Sequence, residues 1–138
     1  MIKEKRGAVV AVVKPEAKKY EIYGKHLTID AYGIERRKLE DHKGVFDLLD
    51  GLPEKLGMRK LTIPYLVFCQ EGDKQGDWGL SGFVMIYESH ISCHTWPEMG
   101  YVSMDVYSCR DFDDKKTIEF IKAHWGCTKI TTRVIPRG

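Results

Sequence analysis

The sequence predicts an α+β fold, a two-layer sandwich in which a mostly antiparallel sheet carries its helices on one face. Segments with alternating apolar and polar residues flank two segments with helical spacing, in the order strand, helix, strands, helix, strand. The chain has 138 residues, of which 43% are hydrophobic and 30% charged, which is typical of a globular domain with a core. Because no repeat or low-complexity tract divides the chain, we expect residues 24–138 to form a single domain.

The first part of the chain is expected to contain a strand and a helix. His26–Tyr32 alternates apolar and polar side chains, as a half-buried strand does. Leu39–Leu56 carries apolar residues at helical spacing, and Pro53 within it predicts a break or a restart. Residues 1–23 are rich in lysine and glutamate around a short apolar run, and we interpret them as an N-terminal arm or an extra edge strand.

The middle of the chain predicts three strands. Leu61–Cys69 is the first, and Pro64 within it favours the edge of a sheet. After a polar loop with three glycines, Gly82–Glu88 and Tyr101–Cys109 are the other two. Between them, Ser89–Trp96 is interpreted as a segment that leads into a turn.

A helix and a strand complete the predicted fold. Asp113 suits the N-cap of a helix that extends to Trp125, and Gly126 ends it. Thr128–Val134 alternates apolar and polar residues again and predicts a final strand.

Charge and cysteine usage narrow the class of protein. The net charge is +2, and positive and negative residues are interspersed along the chain. A nucleic-acid-binding domain normally shows a basic patch or stripe, so we expect no nucleic-acid partner. The four cysteines have no CxxC spacing and no signal peptide precedes them, so we expect reduced thiols in a cytoplasmic protein. The apolar run at residues 8–13 is far shorter than the roughly 20 residues of a membrane span.

Reactive side chains are concentrated in one stretch, Ser81–Cys109. The alternation of its last strand places Asp105 and Cys109 on the face opposite the apolar residues. A thiol on a polar face is better placed for chemistry than for packing, so Cys109 is a candidate functional residue.

A metal site in this stretch is disfavoured. His90, Cys93 and His94 are all possible zinc ligands. The segment is more typical of extended chain, in which residues four apart lie about 13 Å from each other. One ion cannot bridge that distance, and we predict no metal. The remaining thiols and imidazoles are expected to be structural or surface residues: Cys69, Cys127, His26, His42 and His124.

Residues 88–109, ESHISCHTWPEMGYVSMDVYSC, closely resemble the S-adenosylmethionine decarboxylase proenzyme family of the small prokaryotic type. The family has a Glu-Ser-His cleavage site, a downstream His-Thr-Trp-Pro-Glu and a cysteine that ends the following strand. The spacings match without a gap over Ser81–Cys109, and a weaker likeness extends over residues 24–138.

The resemblance implies self-cleavage between Glu88 and Ser89. In the family the serine attacks the preceding carbonyl, and elimination and hydrolysis then leave a pyruvoyl group, the covalent cofactor, in place of Ser89. His94 matches the processing histidine and Ser81 the serine that assists processing. His94 lies five residues after Ser89, so we expect a bend or chain reversal between them.

The resemblance also implies decarboxylation of S-adenosylmethionine, with a product that feeds spermidine and other polyamine synthesis. The pyruvoyl carbonyl would take the substrate amine as a Schiff base, and Cys109 matches the proton donor. Glu98 matches the glutamate that holds the ribose hydroxyls. The family's adenine-stacking phenylalanine is missing from the longer loop EGDKQGDWG, where Trp78 or Phe68 is the candidate replacement.

The resemblance also bears on the oligomeric state and on the alternatives for the substrate. The small prokaryotic enzymes are typically homodimers with sites at the subunit interface, and we expect the same here. Fragment 89–138 is too small for a core of its own, so we expect it to share a sheet with fragment 1–88. The alternatives are a pyruvoyl-dependent arginine or ornithine decarboxylase on the same fold and an uncleaved regulatory paralogue.

Overall fold

The computed structural model describes residues 24–138, and the predicted arm or edge strand at residues 1–23 lies outside them. In the described part, six strands and three α-helices follow one another along the chain. The elements are β1 (Gly24–Tyr32), α1 (Arg36–Leu39), α2 (His42–Lys55), β2 (Tyr65–Cys69), β3 (Gly79–Ile86), β4 (Ser89–Trp96), a 3₁₀ turn (Pro97–Met99), β5 (Tyr101–Ser108), α3 (Asp114–Trp125) and β6 (Lys129–Arg137).

The strands form one antiparallel sheet in the order β2-β3-β4-β5-β1-β6. Strands β2 to β5 are consecutive neighbours, as short connections favour. Strand β1 instead enters the sheet between β5 and β6, which come from the other end of the chain. The N-terminal and C-terminal halves are therefore interleaved in one sheet.

The helices pack on one face of the sheet, and this confirms the predicted fold class. In the four central strands the side chains that point to that face are mostly buried, for example Leu27 and Ile29 of β1 and Met104 of β5. The helices contribute Leu49 and Trp125, both fully buried. Among the described residues, no helix is long and apolar enough to cross a membrane.

Helix α3 has the predicted ends. The Asp113 carboxylate accepts a hydrogen bond from the Lys116 N–H at 2.9 Å, as an N-cap residue does. Gly126 follows the helix at φ 62°, in the left-handed region that favours glycine. The helix therefore begins and ends where the sequence predicts.

Three predictions about the elements are wrong in detail. Ser89–Trp96 does lead into a turn, at Pro97–Met99, but the segment itself is a full strand, β4, in the middle of the sheet. The helical region is interrupted at residues 40–41, and α2 continues through Pro53, which has no N–H to donate to the carbonyl of Leu49. The strand predicted at Leu61–Cys69 is shorter and begins at Tyr65, immediately after Pro64, although it is an edge strand as expected.

The face of the sheet without helices remains open. It carries large apolar side chains on neighbouring strands, with Tyr65 61%, Phe83 42% and Met85 43% exposed. Polar side chains such as His94 and Asp105 share this face. A sheet face that combines exposed aromatic residues with reactive groups is typical of a surface that binds a ligand or another protein.

Candidate active site

The predicted cleavage bond lies in the tight turn between β3 and β4. Ile86 pairs with Ser89, so only Tyr87 and Glu88 form the turn. Ser89 has φ 152°, and among the residues that the structure describes it is the one residue other than glycine with positive φ. This backbone region is essentially restricted to glycine and costs a side-chain-bearing residue about 1–3 kcal/mol.

The carbonyl of the predicted scissile bond accepts a hydrogen bond from the next strand. The backbone N–H of Cys109 donates to the Glu88 oxygen at 2.8 Å. Strands β4 and β5 bring this about by pairing Ser89 with Ser108, the residue before Cys109. A backbone N–H in this position polarises the carbonyl and stabilises an oxyanion that forms on it.

The Cys109 thiol lies at the same end of the sheet and is exposed. Its exposure agrees with the predicted polar-face position, although β5 ends at Ser108 and Cys109 follows directly after it. By contrast, Cys93 is fully buried, and burial raises the pKa of its thiol to about 12. Cys109 is therefore available for proton transfer, whereas Cys93 is a packing residue.

Ser81 and His94 form a second group of reactive side chains. They are directly opposite each other on β3 and β4, and His94 Nδ1 lies 2.9 Å from Ser81 Oγ. A histidine at hydrogen-bond distance from a serine is an arrangement that can move a proton. The sequence identified both residues, but their contact depends on strand pairing across 13 positions.

The two groups are separate within one chain, which corrects the expected bend between Ser89 and His94. Strand β4 is continuous from Ser89 to Trp96, so no chain reversal lies between the two residues. At ~3.3 Å per residue, five residues of strand span about 16 Å. The structure thus places Ser89 and Cys109 at one end of β4, and Ser81 and His94 towards the other.

Aromatic rings surround the group of Ser81 and His94. Both residues line a cavity of about 180 Å³ together with Trp78 and Trp96. The Trp96 indole N–H donates to the Asp77 carboxylate at 2.8 Å and fixes the loop before β3 over the cavity. Phe68 does not line the cavity, but its ring packs edge-on against Trp78 at 5.9 Å between centroids.

Glu98 lies in the 3₁₀ turn after β4, two residues beyond Trp96, which lines the cavity. Its carboxylate is 3.4 Å from the Arg36 guanidinium of α1, and the same guanidinium lies over the Trp78 ring at 5.1 Å. Arg36 therefore connects the predicted ribose-binding carboxylate with one candidate for adenine stacking. Sequence reasoning missed Arg36 and Asp77, because only the fold brings these distant segments together.

No metal site accompanies these groups in the described part of the chain, where no three histidine, cysteine or acidic side chains are close enough to hold an ion. His90 and His94 do share the open face of β4, four residues apart in extended chain. His26, expected to be an ordinary structural or surface residue, lies on the same face with its Nε2 at hydrogen-bond distance, 2.7 Å, from Asp105 Oδ1.

Comparisons with known proteins agree with the geometry. The family model for S-adenosylmethionine decarboxylase matches residues 25–138. The S-adenosylmethionine decarboxylase proenzyme of Persephonella marina is 34% identical over 116 residues, which are 83% of this chain and 82% of that protein. The proenzyme of Thermoplasma volcanium is 32% identical over 118 residues, covering 83% and 84% of the two chains.

A solved structure is also similar. The crystal structure of the adenosylmethionine decarboxylase from Aquifex aeolicus superimposes with a TM-score of 0.70 at 28% identity, over 85% of this chain and 92% of that one. The family match and the two proenzymes cover the strained turn, the serine–histidine pair and the strand that ends before Cys109. The chain therefore belongs to the S-adenosylmethionine decarboxylase family.

Proposed function

We propose that this protein is a self-cleaving, pyruvoyl-dependent decarboxylase of S-adenosylmethionine. It breaks its own chain between Glu88 and Ser89 and then supplies decarboxylated S-adenosylmethionine for spermidine synthesis in the cytoplasm. The observation that carries the proposal is the strained Ser89 beside a carbonyl already hydrogen-bonded at 2.8 Å by the Cys109 N–H. Strain in the peptide and polarisation of its carbonyl both lower the barrier to attack.

Cleavage begins with an acyl shift from nitrogen to oxygen. Ser89 Oγ forms a bond to the Glu88 carbonyl carbon, the peptide C–N bond breaks, and the hydroxyl proton ends on the released amine. Loss of the Ser89 Cα proton then breaks the Cβ–O bond and frees the Glu88 carboxylate. One water adds and one ammonia leaves, so that a pyruvoyl group remains at residue 89. In this scheme His94 moves the protons and Ser81 positions His94.

The residues around position 89 fit a pyruvoyl group. When formed, the group withdraws electrons from the substrate's α-carbon as carbon dioxide leaves. The exposed Cys109 follows the strand that pairs with Ser89, and its thiol delivers a proton to that carbon. Glu98 accepts hydrogen bonds from the ribose hydroxyls and Trp78 stacks on adenine, with Phe68 supporting the Trp78 ring.

The separation of the two groups along β4 supports a homodimer. A side chain about 16 Å away in the same strand cannot take a proton from Ser89. A second copy that packs its open face against the first can bring its Ser81 and His94 to that serine. Because a two-fold interface is reciprocal, the same contact builds two identical sites. The exposed aromatic and apolar side chains of the open face supply the area that such a dimer buries.

The proposal is tested by intact-mass spectrometry of the purified protein. We expect two fragments, residues 1–88 and residues 89–138, with a carbonyl in place of the serine amine at the new N-terminus. Ser89→Ala should leave the chain whole and folded. A wild-type chain that stays whole under non-denaturing conditions would instead support an uncleaved regulatory paralogue.

Turnover is tested with Cys109→Ala in a carbon dioxide release assay. This variant keeps the backbone N–H that binds the Glu88 carbonyl, so it should still cleave. Without the thiol, formation of the correct amine should fall by about 10²–10⁴, the usual range for loss of a general acid. Normal turnover by Cys109→Ala would remove Cys109 from the proton-donor role.

A further inference from the structure

A buried carboxylate lies at the scissile bond and takes no part in the scheme above. The Glu88 side chain is 3% exposed, in a turn that is otherwise at the surface. Glutamate is almost never buried unless it is paired, so its partners carry information.

Two arginines from different segments contact this carboxylate. Arg110 Nη1 lies 3.5 Å from Oε1, and Arg59 Nε lies 4.0 Å from the same oxygen. The backbone N–H of Arg59 also donates to Oε2 at 3.3 Å. Both arginine side chains are about 70% exposed, at 70% and 68%, so they cover Glu88 from the solvent side.

The same segments also hold the backbone of the turn. The Tyr87 N–H donates to the Arg59 oxygen at 3.0 Å, and the Arg59 guanidinium lies over the Tyr87 ring at 4.4 Å. Arg110 directly follows Cys109, whose N–H binds the Glu88 carbonyl. The side chain and the carbonyl of Glu88 are therefore fixed from both sides of the strained peptide.

The charges also bear on the reaction. Attack on the Glu88 carbonyl carbon moves an electron pair to its oxygen, and this oxyanion forms on the residue that already carries a carboxylate. Two like charges so close repel each other strongly in a partly buried site. Positive guanidinium groups beside the carboxylate offset that repulsion, and they do so again when cleavage gives Glu88 a second, terminal carboxylate.

We propose that Arg59 and Arg110 form a guanidinium clamp on Glu88 that positions the Glu88–Ser89 peptide and offsets the Glu88 charge during self-cleavage. The proposal rests on the proposed self-cleavage. The two arginines are positioning residues, since they act through Glu88 and do not touch the reacting atoms.

The test follows the disappearance of full-length precursor by intact mass after cell-free synthesis. Arg110→Met should slow cleavage about tenfold, the worth of one hydrogen bond to a charged group, and Arg59→Met less, because its backbone contact remains. Arg110→Lys keeps the charge and should retain more than half of the rate. Arg37→Met is the matched control, because Arg37 pairs with Glu35 on the surface. The Arg37→Met chain should cleave at the wild-type rate.

A double-mutant cycle separates the clamp from a general effect on folding. Glu88→Gln removes the carboxylate charge, so adding Arg110→Met to it should slow cleavage less than threefold. An equal slowing in both backgrounds would overturn the clamp, as would wild-type cleavage by Arg110→Met. A Glu88→Gln chain that no longer cleaves would mean that the carboxylate itself reacts, and would also overturn it. If wild type stays whole, the proposed function fails and the clamp with it.

Discussion

Ser89 holds a backbone conformation that suits glycine while it carries the side chain that the proposed chemistry needs. The sequence identifies this serine through the Glu-Ser-His motif, but nothing local reveals its strain. The strain arises because a two-residue turn joins β3 and β4 at a register fixed by the whole sheet. Residue identity was therefore predictable here, whereas residue conformation was not.

The strain at Ser89 predicts a difference between two uncleavable variants. Ser89→Ala keeps a Cβ in the restricted region, whereas Ser89→Gly relieves a cost of about 1–3 kcal/mol. The greater chain entropy of glycine offsets about 0.5–1 kcal/mol of this gain. We expect Ser89→Gly to be the more stable of the two by about 1 kcal/mol in urea unfolding.

The control is the same pair of substitutions at Ser92, which lies on β4 with ordinary strand geometry. There the glycine variant should be the less stable one. If Ser89→Gly is also the less stable of its pair, position 89 is not strained in solution.

At the scale of elements, β4 was the strand that sequence patterns did not identify. In β4, Ile91 and Cys93 are buried and His94 is exposed, as in other half-buried strands. The alternation is hard to recognise in the sequence because most residues of this strand are serines, histidines and a cysteine rather than clearly apolar residues. Without β4 as a strand, neither the pairing of Ser81 with His94 nor the distance from Ser89 to His94 follows. The family motif identified these residues, while their arrangement needed the sheet register.

The contact between the 3₁₀ turn after β4 and the short helix α1 leads to a prediction about substrate selectivity. The Glu98 carboxylate lies 3.4 Å from the Arg36 guanidinium. A carboxylate accepts stronger hydrogen bonds from ribose hydroxyls than an amide does. Glu98→Gln should raise KM for S-adenosylmethionine about tenfold, the worth of one charged hydrogen bond. Any activity on arginine or ornithine should be unchanged, because these substrates have no ribose.

Glu40→Gln is the matched control, because Glu40 also pairs with Arg36, at 3.3 Å, but has no proposed contact with substrate. Carbon dioxide release from all three compounds by both variants gives the comparison. Activity on arginine or ornithine alone, insensitive to Glu98→Gln, would assign the protein to the basic amino acid decarboxylases.

At the scale of the whole molecule, the sequence predicted the two-layer architecture, because alternation and helical spacing are local signals that survive folding. It also predicted that residues on both sides of the proposed cleavage bond share one sheet, because about 50 residues are too few for a core of their own. The position of β1 between β5 and β6 was not predictable, since pairing between the ends of the chain is set by tertiary packing. The same holds for the division of the proposed site between the two ends of β4.

This division predicts complementation between two inactive chains. His94→Ala and Ser89→Ala, each expressed alone, should stay whole. In a mixed dimer, the intact His94 of one copy meets the intact Ser89 of the other, so the His94→Ala chain should be cleaved when both are co-expressed. Differently tagged chains and intact-mass spectrometry identify which chain is cut. No cleavage in mixed dimers would place the complete site within one chain.

The interleaved strand order gives cleavage a consequence for folding. Once the chain is cut before β4, the smaller fragment keeps β4, β5 and β6, while their neighbours β3 and β1 belong to the larger one. What was an intramolecular search becomes an encounter between two molecules, and the effective concentration of roughly millimolar that a covalent connection supplies is lost. Refolding then depends on concentration, as in any complex of separate chains. If cleavage occurs as proposed, the protein folds as one chain and persists as two, and a molecule that unfolds after cleavage no longer has the covalent connection with which it first folded.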